Sequence, residues 1–124
     1  MEAKAIAKFV RISPGKARLV VDQIRGERAE DALNTLHFSR KAAAVPIEKT
    51  LRSAIANLIN RSDGETAIPP ESFIVSRAFV DAGATQKRWR PRSMGRAHPI
   101  LKRSCHITLM VSDGQDETKE ATKE

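Results

Sequence analysis

Lys87, Arg88, Arg90, Arg92, Arg96, Lys102 and Arg103 stand in a run from Ala82 to Ser112 that contains no Asp or Glu. These seven cations in 31 residues equal the net charge of the whole chain, +7. Solvated surfaces ordinarily intersperse both signs, and a run this long repels itself unless something neutralises it, so the chemistry on offer is attachment to a polyanion. Arginine dominates the centre (Arg88, Arg90, Arg92, Arg96), which suits two-pronged contact with phosphate and stacking on bases. Trp89 adds one flat ring among the charges, open either to a base or to packing against its own segment.

The rest of the chain grades away from this centre. The first thirty residues hold Lys4, Lys8, Arg11, Lys16, Arg18, Arg25 and Arg28 against four acids, and residues 31–81 balance at six of each sign. From Asp113 the sign inverts, with five acids against two lysines and nothing apolar larger than Ala. That composition buries too little surface to order itself, so residues 113–124 read as a disordered acidic tail.

Other reactive residue types form no recognisable catalytic pattern. There is no P-loop, no GxGxxG after a strand, no GxSxG and no HExxH. His37, His98 and His106 are scattered at spacings that give no metal site, and the single cysteine, Cys105, has no second thiol. Cys105 and His106 are neighbours in a strand pattern, so their side chains point to opposite faces; Cys105 reads as a small core residue and His106 as a polar residue on the exposed face or an RNA contact. Glu30 and Asp31 fall in the first turn of a helix, where they complement its dipole. Neither an enzyme nor a metal or cofactor is expected.

At 124 residues the chain is one domain in size, with a core of Ala, Val, Leu and Ile because aromatics make up only 4%. No apolar run approaches the ~20 residues that span a bilayer, and the N-terminus does not read as a signal peptide, so a cytosolic address and no membrane are expected. Residues 3–12 alternate as a short strand. Ser13 and Pro14 then open a helix to Arg25, with Ala17, Val20, Val21 and Ile24 inward, the Ser13 hydroxyl capping its first turn and Gly26 closing it. A second helix is expected over Ala29–Phe38, with Ala32, Leu33, Leu36 and Phe38 inward, and Ser39 capping a third. In the third, Ile47, Leu51, Ala54, Ile55 and Leu58 keep a helical period. Pro46 leaves two starts open: near Val45 after a separate turn, or at Arg40 with a kink. Loop signals from Asn60 to Pro70 end the helical region.

Two strands follow, Ser72–Asp81 and Leu101–Val111, paired as a hairpin of about residues 72–111. With its arms extended from Phe73 to Gln86 it reaches about 46 Å at roughly 3.3 Å per residue, far beyond a body whose radius of gyration is about 14 Å. A ribbon projecting alone is marginally stable, so an external surface should hold it. The fold class is α+β: three helices packed on a small antiparallel sheet, with a long basic β-hairpin projecting from the body.

Lys87, four residues, then Arg92-Ser93-Met94-Gly95-Arg96, nine residues, then His106-Ile107-Thr108-Leu109-Met110-Val111 follow, in spacing and type, the signature of a known family. The run Val10–Val20, Gly26, Ala32–Leu36 and Ser53–Asn57 resemble it too. The chain is similar to the bacterial large-subunit ribosomal protein twenty-two family across residues 3–113. The resemblance implies a body on the outer surface of the large ribosomal subunit, bound to its ribosomal RNA, and a hairpin threaded inward to line the nascent-polypeptide exit tunnel. It makes residues 1–112 a single RNA-binding domain. The RNA-binding residues implied are Arg11, Ser13, Lys16, Arg18, Arg25, Lys87, Arg88, Trp89, Arg90, Arg92, Arg96, His98, Lys102 and Arg103. Those implied to line the tunnel are Arg88, Trp89, Arg90, Pro91, Arg92, Ser93, Met94, Gly95, Arg96 and Ala97. Large-subunit ribosomal RNA, neighbouring ribosomal proteins and the nascent polypeptide are the implied partners of a chain that is a monomer when free. The alternative is an architectural DNA-binding protein whose ribbon arm wedges Pro91 into a minor groove. Such arms act in symmetric pairs, and no self-association seam is evident.

Overall fold

A computed structural model describes residues 2–62 and 72–113. The element order is β1 (Glu2–Val10), α1 (Pro14–Ile24), α2 (Ala29–His37), α3 (Ala44–Ser62), β2 (Ile74–Ala82), β3 (Gln86–Pro91), β4 (Ala97–Lys102) and β5 (Cys105–Ser112). This is the expected α+β class. The expected loop beyond Ser62 and the acidic tail beyond Asp113 lie outside the described residues.

β5 is the centre of a three-stranded antiparallel sheet, order β1-β5-β2, and β3 pairs only with β4 in a second ladder. Ala3, Ala5, Val75, Ala78, Val80, Cys105, Ile107, Leu109 and Val111 form the buried face of the larger sheet. Against it α1 packs on β2, and α3 on β1 and β5. The alanines of β1 let α3 come close, and the bulk is returned by Ile47, Leu51 and Leu58, all fully buried. Val20, Val21 and Ile24 of α1 complete the core, and Ile55 packs against it partly buried.

Several local expectations are corrected. Ser13 holds the N-cap position with extended backbone, but its hydroxyl makes no capping bond; its carbonyl accepts from Ala17 N–H at 3.1 Å. Arg25 holds the C-cap position of α1 with extended backbone, and Gly26 follows at φ +83° in a turn closed by Glu27 N–H on Ile24 O (3.2 Å), its own N–H going to Val75 O rather than to the helix. Phe38 is 79% exposed rather than inward, because α2 stops at His37 and position 38 lies nine residues, about half a turn out of phase, from Ala29. Ser39 caps no helix: α3 begins at Ala44, after a turn closed by Ala44 N–H to Lys41 O (3.1 Å), and the Ser39 hydroxyl accepts from Lys41 N–H instead. Of the two starts for α3, the separate turn is realised. Pro46 is the third helical residue, where its missing N–H is one the helix would leave unpaired anyway. The helix also runs through Asn60, Arg61 and Ser62, into the segment expected to be loop.

In β1 the alternation that would turn Phe9 inward fails at a bulge between Ala7 and Val10. Phe9 takes φ +58° and is 65% exposed, while Val10 packs against the core in its place. His106 holds the bulge: its Nδ1 accepts from Phe9 N–H at 3.1 Å and its ring meets the Phe9 ring edge-on at 4.9 Å. This is the role of His106 within the fold, and it confirms that Cys105 and His106 face apart.

The hairpin is not one ladder. Ala82 pairs with Cys105, but the next pair is Gln86 with Lys102, so three residues on one strand face two on the other. A further irregularity lies between Val75 and Arg77, where Ser76 Oγ donates to Met110 O. Bulges of this kind bend and twist a ribbon, and the mismatch beyond Ala82 separates the body sheet from the arm.

Candidate nucleic-acid interface

The arm begins at a tight joint. Gly83 N–H donates to Ser104 O (2.9 Å), and Ser104 Oγ donates to Ala84 O (2.6 Å). A Cβ on Gly83 would lie 2.7 Å from Ser104 Oγ and 3.2 Å from the His106 ring, so any other residue would have to push the Ser104 hydroxyl off Ala84 O. The joint escapes the sequence pattern; a glycine just past a strand is its one visible signal.

Beyond the joint the extended arms continue to Pro91, past the Gln86 limit considered above. Six cross-strand pairs run from Gln86–Lys102 to Pro91–Ala97, and the tip closes with Arg92 N–H on Arg96 O (2.6 Å) around a 3-10 turn at Ser93–Gly95. Met94 (φ +62°) and Gly95 (φ +73°) are consecutive left-handed residues. Gly95 is where a glycine was expected to be needed; Met94, 97% exposed, adopts the same region at a cost on the order of 1 kcal/mol. Every residue of β3 is exposed, and among the described residues no carboxylate pairs with any arm cation.

The root of the arm meets the β1–α1 turn in a basic hollow. Arg11, Ser13, Lys16, Leu101, Lys102 and Arg103 line an open groove of about 470 Å³. Arg11, Lys102 and Arg103 also line an adjoining hollow of about 300 Å³, with Phe9, Ala84, Gln86 and Ser104. Residues more than eighty positions apart thus converge as four cations around a hydroxyl. The groove also sits at the start of α1, whose first turn has no acid, so the helix dipole adds to its attraction for an anion.

Arg18 and Arg25 lie elsewhere. Arg18 Nε and Nη2 donate to Val80 O (3.2 and 3.0 Å), and Arg25 Nε and Nη2 donate to Ala78 O (3.0 and 2.6 Å). Asp22 pairs with Arg25 at 2.9 Å. The outer edge of β2 pairs with residues 26–29 through Phe73 and Val75, and the two guanidinium groups take the next carbonyls along it, so they are not brought into the groove. Cys105 is fully buried, and burial pushes its thiol up, opposed weakly by the charge of Arg18. No cluster of three or more metal-ligating residues occurs among the described residues, nor does any of their helices have the length and apolarity to cross a membrane.

The fold and this surface define a class: a small α+β protein that offers a polyanion a bare basic arm and a basic groove at its root, with no catalytic constellation among the described residues. The family described as Ribosomal protein L22p/L17e matches residues 5–112. Relatives from Staphylococcus aureus strains JH9, Newman and USA300, each described as large ribosomal subunit protein uL22, are 48% identical over 121 residues, covering 98% of this chain and 100% of theirs. The chain belongs to this ribosomal protein family and is structural rather than enzymatic. Membership leaves the DNA-wedge reading without support.

Proposed function

We propose that the chain binds large-subunit ribosomal RNA, aids assembly of the subunit, and lays the arm tip, about residues 86–98, along the wall of the nascent-polypeptide exit tunnel. It is a structural constituent of the large ribosomal subunit, and its place is the cytoplasm. The observation that carries the RNA reading is the arm itself: an exposed two-stranded ladder with seven cations at and around it and no carboxylate partner among the described residues. Fixed phosphates on converging RNA helices supply the neutralising surface, by shape and charge rather than by base sequence.

Residues 1–112 act as the RNA-binding unit, and the acidic end from Asp113 carries the wrong sign for that contact. Arg11, Ser13, Lys16, Lys102 and Arg103 take phosphate at the root of the arm; Lys87, Arg88, Arg90, Arg92, Arg96 and His98 take it along the arm. Arg18 and Arg25 serve the sheet edge first. Residues Arg88 to Ala97, the turn at Ser93–Gly95 included, border the tunnel, where Arg90 and Arg92 flank Pro91. The free protein is a monomer, and in the subunit its partners are RNA, neighbouring proteins and the passing peptide.

Purified ribosomes carrying a deletion of Lys87 and Arg88, or Arg92→Leu, test the tunnel assignment. Removing two residues preserves the alternation of β3, and the core does not depend on the arm, so both variants should be incorporated fully. Arrest-peptide stalling and the tunnel wall seen by cryo-microscopy should change. Full incorporation with both unchanged rejects the assignment.

A further inference from the structure

The register of the arm sorts its side chains onto two faces of different chemistry. Cross-strand partners share a face, and successive residues alternate. Arg88 opposite Ile100 and Arg90 opposite His98 therefore lie on one face, with Gln86 opposite Lys102 at its root. The other face carries Lys87 opposite Leu101, Trp89 opposite Pro99, and Pro91 opposite Ala97. One side is thus cationic and the other almost wholly apolar. Trp89 is 64% exposed and Leu101 43% exposed, so their cross-strand neighbours do not cover them.

We propose that the two faces bind one RNA in two ways: the Arg88–Arg90 face takes backbone phosphates, and an unpaired base stacks on Trp89, its phosphate held by Lys87. This rests on the RNA-binding reading above and adds to it a division of labour and a contact to a base. Three observations favour a base over a protein side chain as the occupant. The ring is flat, exposed and flanked by Pro99, which makes an open platform rather than a pocket. Lys87 lies two residues away on the same face, roughly 7 Å along the strand, at the reach of a nucleotide's own phosphate. The opposite face and both ends of the arm are cationic, so any chain following the arm must be an anion, and a single-stranded stretch supplies both a phosphate and a free π face.

The chain has one Trp and no Tyr, so its fluorescence above the tyrosine range reports on Trp89 alone. The full-length protein is titrated with an unstructured oligoadenylate and with an RNA duplex that has no free bases. Expected is quenching of Trp89 by oligoadenylate and salt-dependent binding of the duplex without comparable quenching. Trp89→Ala should weaken oligoadenylate binding about tenfold with an unchanged log-log salt slope, and Trp89→Phe should restore most of it. Arg88→Gln with Arg90→Gln should reduce the slope by about 1.4 and leave quenching at saturation intact. Saturable oligoadenylate binding with unaltered Trp89 emission overturns the stacking proposal while leaving RNA binding standing. So does a Trp89→Ala effect on slope alone, or a Trp89 emission that changes only when a second ribosomal protein is added. Absence of salt-dependent binding to either RNA overturns the underlying reading as well.

Discussion

Replacing Arg18 and Arg25 together by Ala separates a structural role from an RNA role in two residues that sequence alone assigns to RNA. Each guanidinium places two donors on one carbonyl of the β2 edge, at 3.0 and 3.2 Å for Val80 and 2.6 and 3.0 Å for Ala78. Hydrogen bonds to charged groups contribute roughly 1.5–3 kcal/mol each when well shielded. Here two donors share one oxygen and the Arg25 side chain is 49% exposed, so the lower end applies, and water can replace part of the lost bonding at an open strand edge. About 1–1.5 kcal/mol per arginine gives about 2–3 kcal/mol for the pair. With a urea dependence of about 1–3 kcal/mol per molar for a small protein, the unfolding midpoint should fall by about 0.7–3 M. Far-UV circular dichroism follows the body, and RNA titration on the same variant follows the interface. A double variant that unfolds at the parental midpoint, or one that keeps its stability yet loses salt slope in RNA binding, refutes the clamp.

Three further outcomes are expected. If about five of the seven basic residues from Lys87 to Arg103 meet phosphate, the log-log salt slope for RNA should be roughly −3.5, and a slope near zero contradicts the interface. Amides of residues 86–102 should exchange within the fastest class in the free protein and slow on RNA, because their ladder buries almost no side chain; strong protection without RNA contradicts this. Cys105, buried and with its thiol pushed up, should resist a thiol reagent at neutral pH in the native protein and react at once in denaturant. Rapid native labelling would show that β5 opens far more readily than its packing implies.

The helical region was largely legible because its signals are local. Ala17, Val20, Val21 and Ile24 share one stripe, Gly26 follows its C-cap, and a proline near a helix start has few permitted positions. What escaped was set by contacts distant in sequence. Phe9 leaves the core because an imidazole 97 positions away accepts its N–H, and no alternation pattern carries that information. The break between body and arm depends on a three-against-two mismatch of residues, which the turn-rich composition of the segment conceals. The charge of the arm was plain from the absence of acids over 31 residues. That Arg11, Ser13 and Lys16 share a groove with Lys102 and Arg103, whereas Arg18 and Arg25 turn to β2, follows from where α1 crosses the sheet, and a basic residue in sequence looks the same in either place.

Sedimentation of cellular ribosomes is the most direct test that this chain is built into the large subunit through its arm and groove. Tagged parental protein should remain with large subunits after a moderate-salt wash. A variant with Arg88, Arg90, Arg92, Lys102 and Arg103 all changed to Gln should wash off at lower salt while remaining folded by circular dichroism. Parental protein found only in the soluble fraction, or a neutralised variant retained as firmly as the parent, would contradict the account.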